Sequence, residues 1–226
     1  MRITLATAVA LLAGSAAQGA FISFASDTSP ANPTFVSTFD GVTYVRDFGP
    51  TNVDLQIDVD ENGPAGPITL NANMTAEFTL SFAGTVPLGG STMAHVFSLS
   101  GYFQFNDAAG GMILRADVTN GAFTGVGSSS SIFSAIMSGS GASYTLGSIA
   151  TEVGFGGVQD GDFGFSLTAI NGGAGAALLF PFGDGASPVG IGQFQSEGSF
   201  SGRFIPAPGP TALLGIGGLV IARRRR

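Results

Sequence analysis

Along most of the chain, apolar and polar residues alternate one for one. Val53, Leu55, Ile57 and Val59 take turns with Asp54, Gln56, Asp58 and Asp60. Phe78, Leu80 and Phe82 alternate with Glu77, Thr79 and Ser81. Phe97, Leu99, Phe103 and Phe105 share one parity, with Ser98, Ser100, Tyr102 and Gln104 on the other. Phe194, Phe200 and Phe204 stand against Gln195, Glu197, Ser199, Ser201 and Arg203. A period of two puts one set on each face of a β-strand, so each run has one buried and one wet face. That is the pattern of antiparallel sheet.

Between the runs lie residues that tolerate positive φ: Asp40-Gly41, Asn62-Gly63-Pro64, Gly89-Gly90, Gly110-Gly111, Asn120-Gly121 and Asn171-Gly172-Gly173. Such pairs close hairpins. Strands are expected near 21–26, 34–39, 42–48, 53–60, 67–75, 76–86, 93–106, 112–119, 121–126, 131–138, 163–170, 176–182 and 192–204. No segment between 20 and 205 carries a helical period, and 125–157, rich in Ser and Gly, reads as a loop or a pair of edge strands. The expected fold is an all-β, antiparallel β-sandwich over 20–205, with phenylalanine as its bulk, of jelly-roll-like or Ig-like topology.

Charge narrows the function. The chain has no Cys, no Trp and no Lys. All fifteen acidic residues lie between 20 and 205, with only Arg46, Arg115 and Arg203 against them. Nucleic acid is therefore excluded as a partner, because its affinity comes largely from Lys and Arg on phosphates. Thiol and Schiff-base catalysis are excluded with Cys and Lys, and no Gly-x-Ser-x-Gly elbow occurs. His95 shares the parity of Phe97 and reads as a partly buried structural residue. No enzyme is expected. A hydrolase working through paired carboxylates is the third reading, since such a pair can be assembled from distant strands.

Two binding chemistries are open. Asp58-Val59-Asp60-Glu61-Asn62-Gly63 matches the first six positions of an Asp-x-Asp-x-Asn-Gly calcium loop, with Asp58, Asp60 and Asn62 as ligands. The twelfth position is Thr69 rather than Glu, and Pro64 and Pro67 oppose a following helix, so a plain hairpin turn is the simpler reading. Asp160-Gly161-Asp162 is a weaker pair. Beyond calcium no cofactor is expected. Sugar binding needs exposed rings; of Tyr44, Tyr102 and Tyr144, Tyr102 falls on a polar parity.

The two ends carry a different kind of information. Met1-Arg2, the apolar stretch 3–13 and the small residues Ser15-Ala16-Ala17 have the order of a secretory signal peptide, cleaved by signal peptidase after Ala17 or Gly19. At the other end, Pro206-Ala207-Pro208 precedes the apolar run 211–222 and then Arg223, Arg224, Arg225 and Arg226. The prolines cannot join a helix interior. The arginines would stay cytoplasmic while the apolar helix enters the bilayer.

This tail, 206–226, resembles the PEP-CTERM sorting signal of bacterial exported proteins, with Ala207 where that family has Glu. The resemblance implies recognition by an exosortase-type membrane protease, an inner-membrane intermediate, and delivery to the cell surface or extracellular matrix, often in company with exopolysaccharide. The alternative is a plain membrane anchor, for which the run of twelve residues is short against the ~20 that span a bilayer. The domains expected are thus a signal peptide (1–19), a β-sandwich (20–205) and a sorting tail (206–226). The function expected is structural or adhesive, with a carbohydrate- or calcium-binding module as the alternative.

Overall fold

The computed structural model describes residues 20–25, 33–49, 51–58, 66–153, 156–181 and 187–205. The expected signal helix and the apolar tail helix, with the sorting residues Pro206, Ala207, Pro208 and Arg223 to Arg226, lie outside them.

Twelve strands run β1 (Ala20–Ala25), β2 (Phe35–Phe39), β3 (Thr43–Asp47), β4 (Thr51–Asp58), β5 (Ile68–Gly89), β6 (Thr92–Asn106), β7 (Met112–Gly127), β8 (Ser131–Leu146), β9 (Gly157–Thr168), β10 (Ala176–Leu179), β11 (Gly190–Ile191) and β12 (Gln195–Ile205). The chain is all-β and its ladders are antiparallel, as the alternation predicts.

The ladders do not separate into the two facing sheets of the expected sandwich. They draw one sheet that returns on itself. β5, β6, β7, β8 and β9 form a meander, and β9 pairs with β12. Between β12 and β5 the wall is completed twice. Toward one end β1 pairs with the last residues of β12, and β4 links β1 to the start of β5. Toward the other end β2 pairs with the start of β12, and β3 links β2 to Glu77–Leu80 of β5. At either level the circuit is eight strands. Closure removes the exposed edges that an open sheet would offer to aggregation.

The interior is filled with rings. Phe165 on β9 lies 4.8 Å from Phe200, 5.1 Å from Phe103, 5.3 Å from Phe35 and 6.1 Å from Phe78, measured between centroids. Those partners come from β12, β6, β2 and β5, so opposite walls of the circuit meet in the middle. Edge-on and tilted ring pairs at such distances add to the burial itself. Ile170, Leu178, Ile191 and Phe194 are buried as well, where β10 and β11 bridge from β8 to Thr43 and the Phe194 N–H just beyond β11 donates to Ser37 Oγ.

Closing so narrow a wall demands sharp bends. Two bulges supply them on neighbouring strands. Thr119-Asn120 of β7 oppose Ser100 alone, and Gly141 of β8 is extra between Ser140 and Ala142. Bulges bend a strand and shift its parity. β7 buries Leu114, Ala116 and Val118 before the shift and Phe123 after it; β8 buries Ala135 and Met137 before and Ala142 and Tyr144 after. Gly101, across from the β7 bulge, has φ +147°, and a Cβ there would overlap the Glu77 carbonyl.

Four sequence expectations change. Segments 67–75 and 76–86 are one strand, β5, and 112–119 and 121–126 are one strand, β7, with the Asn120-Gly121 turn signal absorbed by the bulge. Most of the stretch 125–157 is the long strand β8, neither loop nor edge, because it is paired with β7 on one side and β9 on the other. A short helix, α1 (Ile149–Val153), and a 3-10 turn, Ile170–Gly173, occur where no helical period was seen. Each is a single turn, too short to register as periodicity.

Candidate functional site

Asp58, the first expected calcium ligand, is the last residue of β4 and half-buried; Asp60 and Asn62 lie outside the described residues. Among the described residues no three of His, Cys, Asp and Glu gather as a metal site would require. Asp160 and Asp162 both face outward from β9. Gly161 between them faces inward, where a Cβ would overlap the Arg203 carbonyl and press within 2.8 Å of the Tyr144 ring. The Asp-Gly-Asp spacing therefore reflects the packing of Tyr144. Asp162 Oδ1 accepts the Arg203 backbone N–H at 3.0 Å.

His95 is buried, as its parity suggests. Its Nδ1 is 2.9 Å from Thr85 Oγ1 and its Nε2 is 2.7 Å from the Ser128 carbonyl. These bonds tie the β5–β6 hairpin to the β7–β8 turn. A small cleft beside it, about 370 Å³, is lined by Phe82, Met93, Phe180 and Pro188.

Tyrosine does not supply the sugar platform. The Arg115 guanidinium lies 4.0 Å over the Tyr102 ring and is held there by Asp117 at 2.8 Å. Arg46 lies 4.9 Å over Tyr44 and pairs with Glu77 at 3.1 Å. A covered face stacks on the arginine it already holds. The Asp117 bond and charge raise the Arg115 pKa above the ordinary guanidinium value, so that cap stays charged. Tyr144 is buried, and its hydroxyl donates to the Asp162 carbonyl at 2.6 Å.

A larger concavity lies elsewhere, on the outer wall between β7 and β1, with a volume of about 680 Å³. Its floor is one lateral row across four strands. Ala122 is paired with Ser138, Ser138 with Gly164, and Gly164 with Ser201. Beside it runs a row of larger groups, in which Ser140 pairs with Asp162, Asp162 with Arg203, Arg203 with Phe21, and Phe21 with Asp58. Asn120 stands at the β7 bulge where the rows begin. The sequence brought attention to Asp58 and Asp162 separately. The register places them in one row, three strand spacings or about 14 Å apart along the wall. That is too far to share an ion, and wider than the ~5–9.5 Å between the carboxyls of a glycosidase. Phe21, Ser138, Gly164, Ser201 and Arg203 were not singled out as a group from sequence.

No family model, no curated protein and no solved structure matches the chain. Outward positions of the central strands carry Asp54, Gln56, Glu77, Gln104 and Asp117, the reverse of a lipid-embedded barrel with its apolar band outside. Among the described residues no helix is long and apolar enough to cross a membrane.

Proposed function

We propose that this chain is an exported cell-surface or extracellular-matrix protein, sorted through its C-terminal tail by an exosortase-type membrane protease and serving a structural or adhesive role in a matrix of exopolysaccharide. The observation that carries this reading is the order Pro206-Ala207-Pro208, apolar run, Arg223 to Arg226, following directly on the last strand. Two features of the fold support it. β12 ends at Ile205, so the proline motif begins where the wall stops, with no linker. Ala20 is paired with Phe204, so the strand that follows the signal peptide starts beside the strand that precedes the tail. A precursor held by both terminal segments would hang from the membrane by one end of the barrel.

Intact mass of the protein from fractionated native cells tests the proposal. The expected product lacks 1 to about 17–19 and the tail beyond Pro206, and is recovered outside the inner membrane. Recovery of the whole tail in the inner-membrane fraction would leave a short-anchored β-domain instead and sink the sorting reading.

A further inference from the structure

We infer that the outer-wall groove between β7 and β1 is a binding site for a neutral linear polysaccharide. The inference deepens the matrix reading above by naming the surface that meets the glycan. Its first support is shape. The floor row Ala122–Ser138–Gly164–Ser201 is made of the smallest side chains, one per strand, and crosses the strands. Phe21 on β1, in the neighbouring row opposite Arg203, carries the groove onto a fifth strand, about 19 Å across at the usual spacing, which suits a run of sugar rings laid side by side. An extended peptide would be recognised by adding to a sheet edge, and the wall here offers none along the groove because β8, β9 and β12 are paired on both sides.

The second support is chemistry. Serine hydroxyls both donate and accept, as a polyol requires. Asp162 brings acceptors and Arg203 donors to adjacent strands, a pairing that fits neighbouring hydroxyls on one ring. Phe21, half-buried on the same row, brings an apolar face for the C–H side of a sugar. The five groups meet in a single depression of about 680 Å³, within the range of small-molecule sites. Net charge selects the glycan class: a domain with about twelve excess negative charges repels a polyanion.

Gly164 gives the decisive variant. Its place in the strand points outward, and a Cβ there would meet nothing nearer than Ser201 Oγ at 3.7 Å. Gly164→Ile therefore fills the floor without touching the core, and a β-branched residue suits a strand. Asp162→Asn keeps the oxygen that accepts the Arg203 N–H while removing the charge. Binding of the isolated mature protein would be measured by calorimetry against neutral hexasaccharides (β-1,3- and β-1,4-glucan), oligogalacturonate, and exopolysaccharide from the producing cells. Saturable binding to a neutral glycan is expected, with no binding of oligogalacturonate. Each variant should weaken it about tenfold or more at unchanged melting temperature, as loss of a charge-assisted bond or of the floor would. Binding unaltered in both variants, or no binding by the wild type, overturns the inference. Normal export of a protein that binds no glycan leaves the sorting reading standing. Glycan binding by a protein retained in the inner membrane does the reverse.

Discussion

Tyr144 sits where the interior meets the groove. Its ring lies 6.0 Å from Phe103 and 5.6 Å from Phe204, and its hydroxyl reaches the Asp162 carbonyl under the groove. Burial, with the Asp162 charge second, drives its pKa far above the ordinary tyrosine value. A folded-state pKa raised above the unfolded one stabilises the fold at pH below the unfolded value, about 10, and the benefit disappears as pH rises past it. Wild-type stability should thus fall in alkali as the unfolded chain ionises at Tyr144. Tyr144→Phe should cost about 1 kcal/mol near neutral pH and lose less above pH ~10, so urea denaturation curves of the two should converge there. Groove residues are hard to read at this scale. Ser138, Gly164 and Ser201 are each an ordinary small residue on a polar parity. Only the ladder register makes them a floor.

Among the elements, β8 departs furthest from its sequence. Ser131 to Leu146 holds many Ser and Gly residues, which sheets disfavour, and still forms a strand with a neighbour on each side. Its inward residues Ile132, Ala135, Met137, Ala142 and Tyr144 are buried, and that burial outweighs the weak local preference. The change of parity at Gly141 hid the pattern, because alternation counted through a bulge cancels. Amide hydrogen exchange should accordingly find β8 as protected as β6 and β7. β10 and β11, short and joined through few ladder pairs, should open first. Exchange of β8 at the rate of a surface loop would contradict the pairing described. β4 and β6 bury one alternating set along their length and are legible in the sequence, β6 to within a residue and β4 with its start two residues earlier than expected.

For the whole molecule, alternation predicts a wall with a wet and a dry face. It does not say whether two such walls pack as separate sheets or join into one circuit, since the inward residues look the same in both. What decides is the pairing of β12 with β9 on one side and with β1 and β2 on the other, a long-range fact with no local signature. The pairing has a practical corollary. Because Ala20 and Phe204 are opposite one another, a short linker from Ile205 to Ala20, with new ends opened in the Asp107–Gly111 turn, should give a circular permutant that folds with a similar melting temperature. A permutant that fails to fold would argue against the adjacency of the ends.

The same strand decides how the molecule would bear a load. Whatever is joined to Ile205 pulls on β12 along its axis, and β12 is gripped by β9 along one flank and by β1 along most of the other. Traction between that point and the far loops shears many backbone bonds together, so the barrel resists as a rivet does. Traction between Ile205 and Ala20 peels β1 from β12 one rung at a time, as a zip opens. A protein fixed to a surface by the first end alone is held in its strong direction; one held by both ends is held in its weak one.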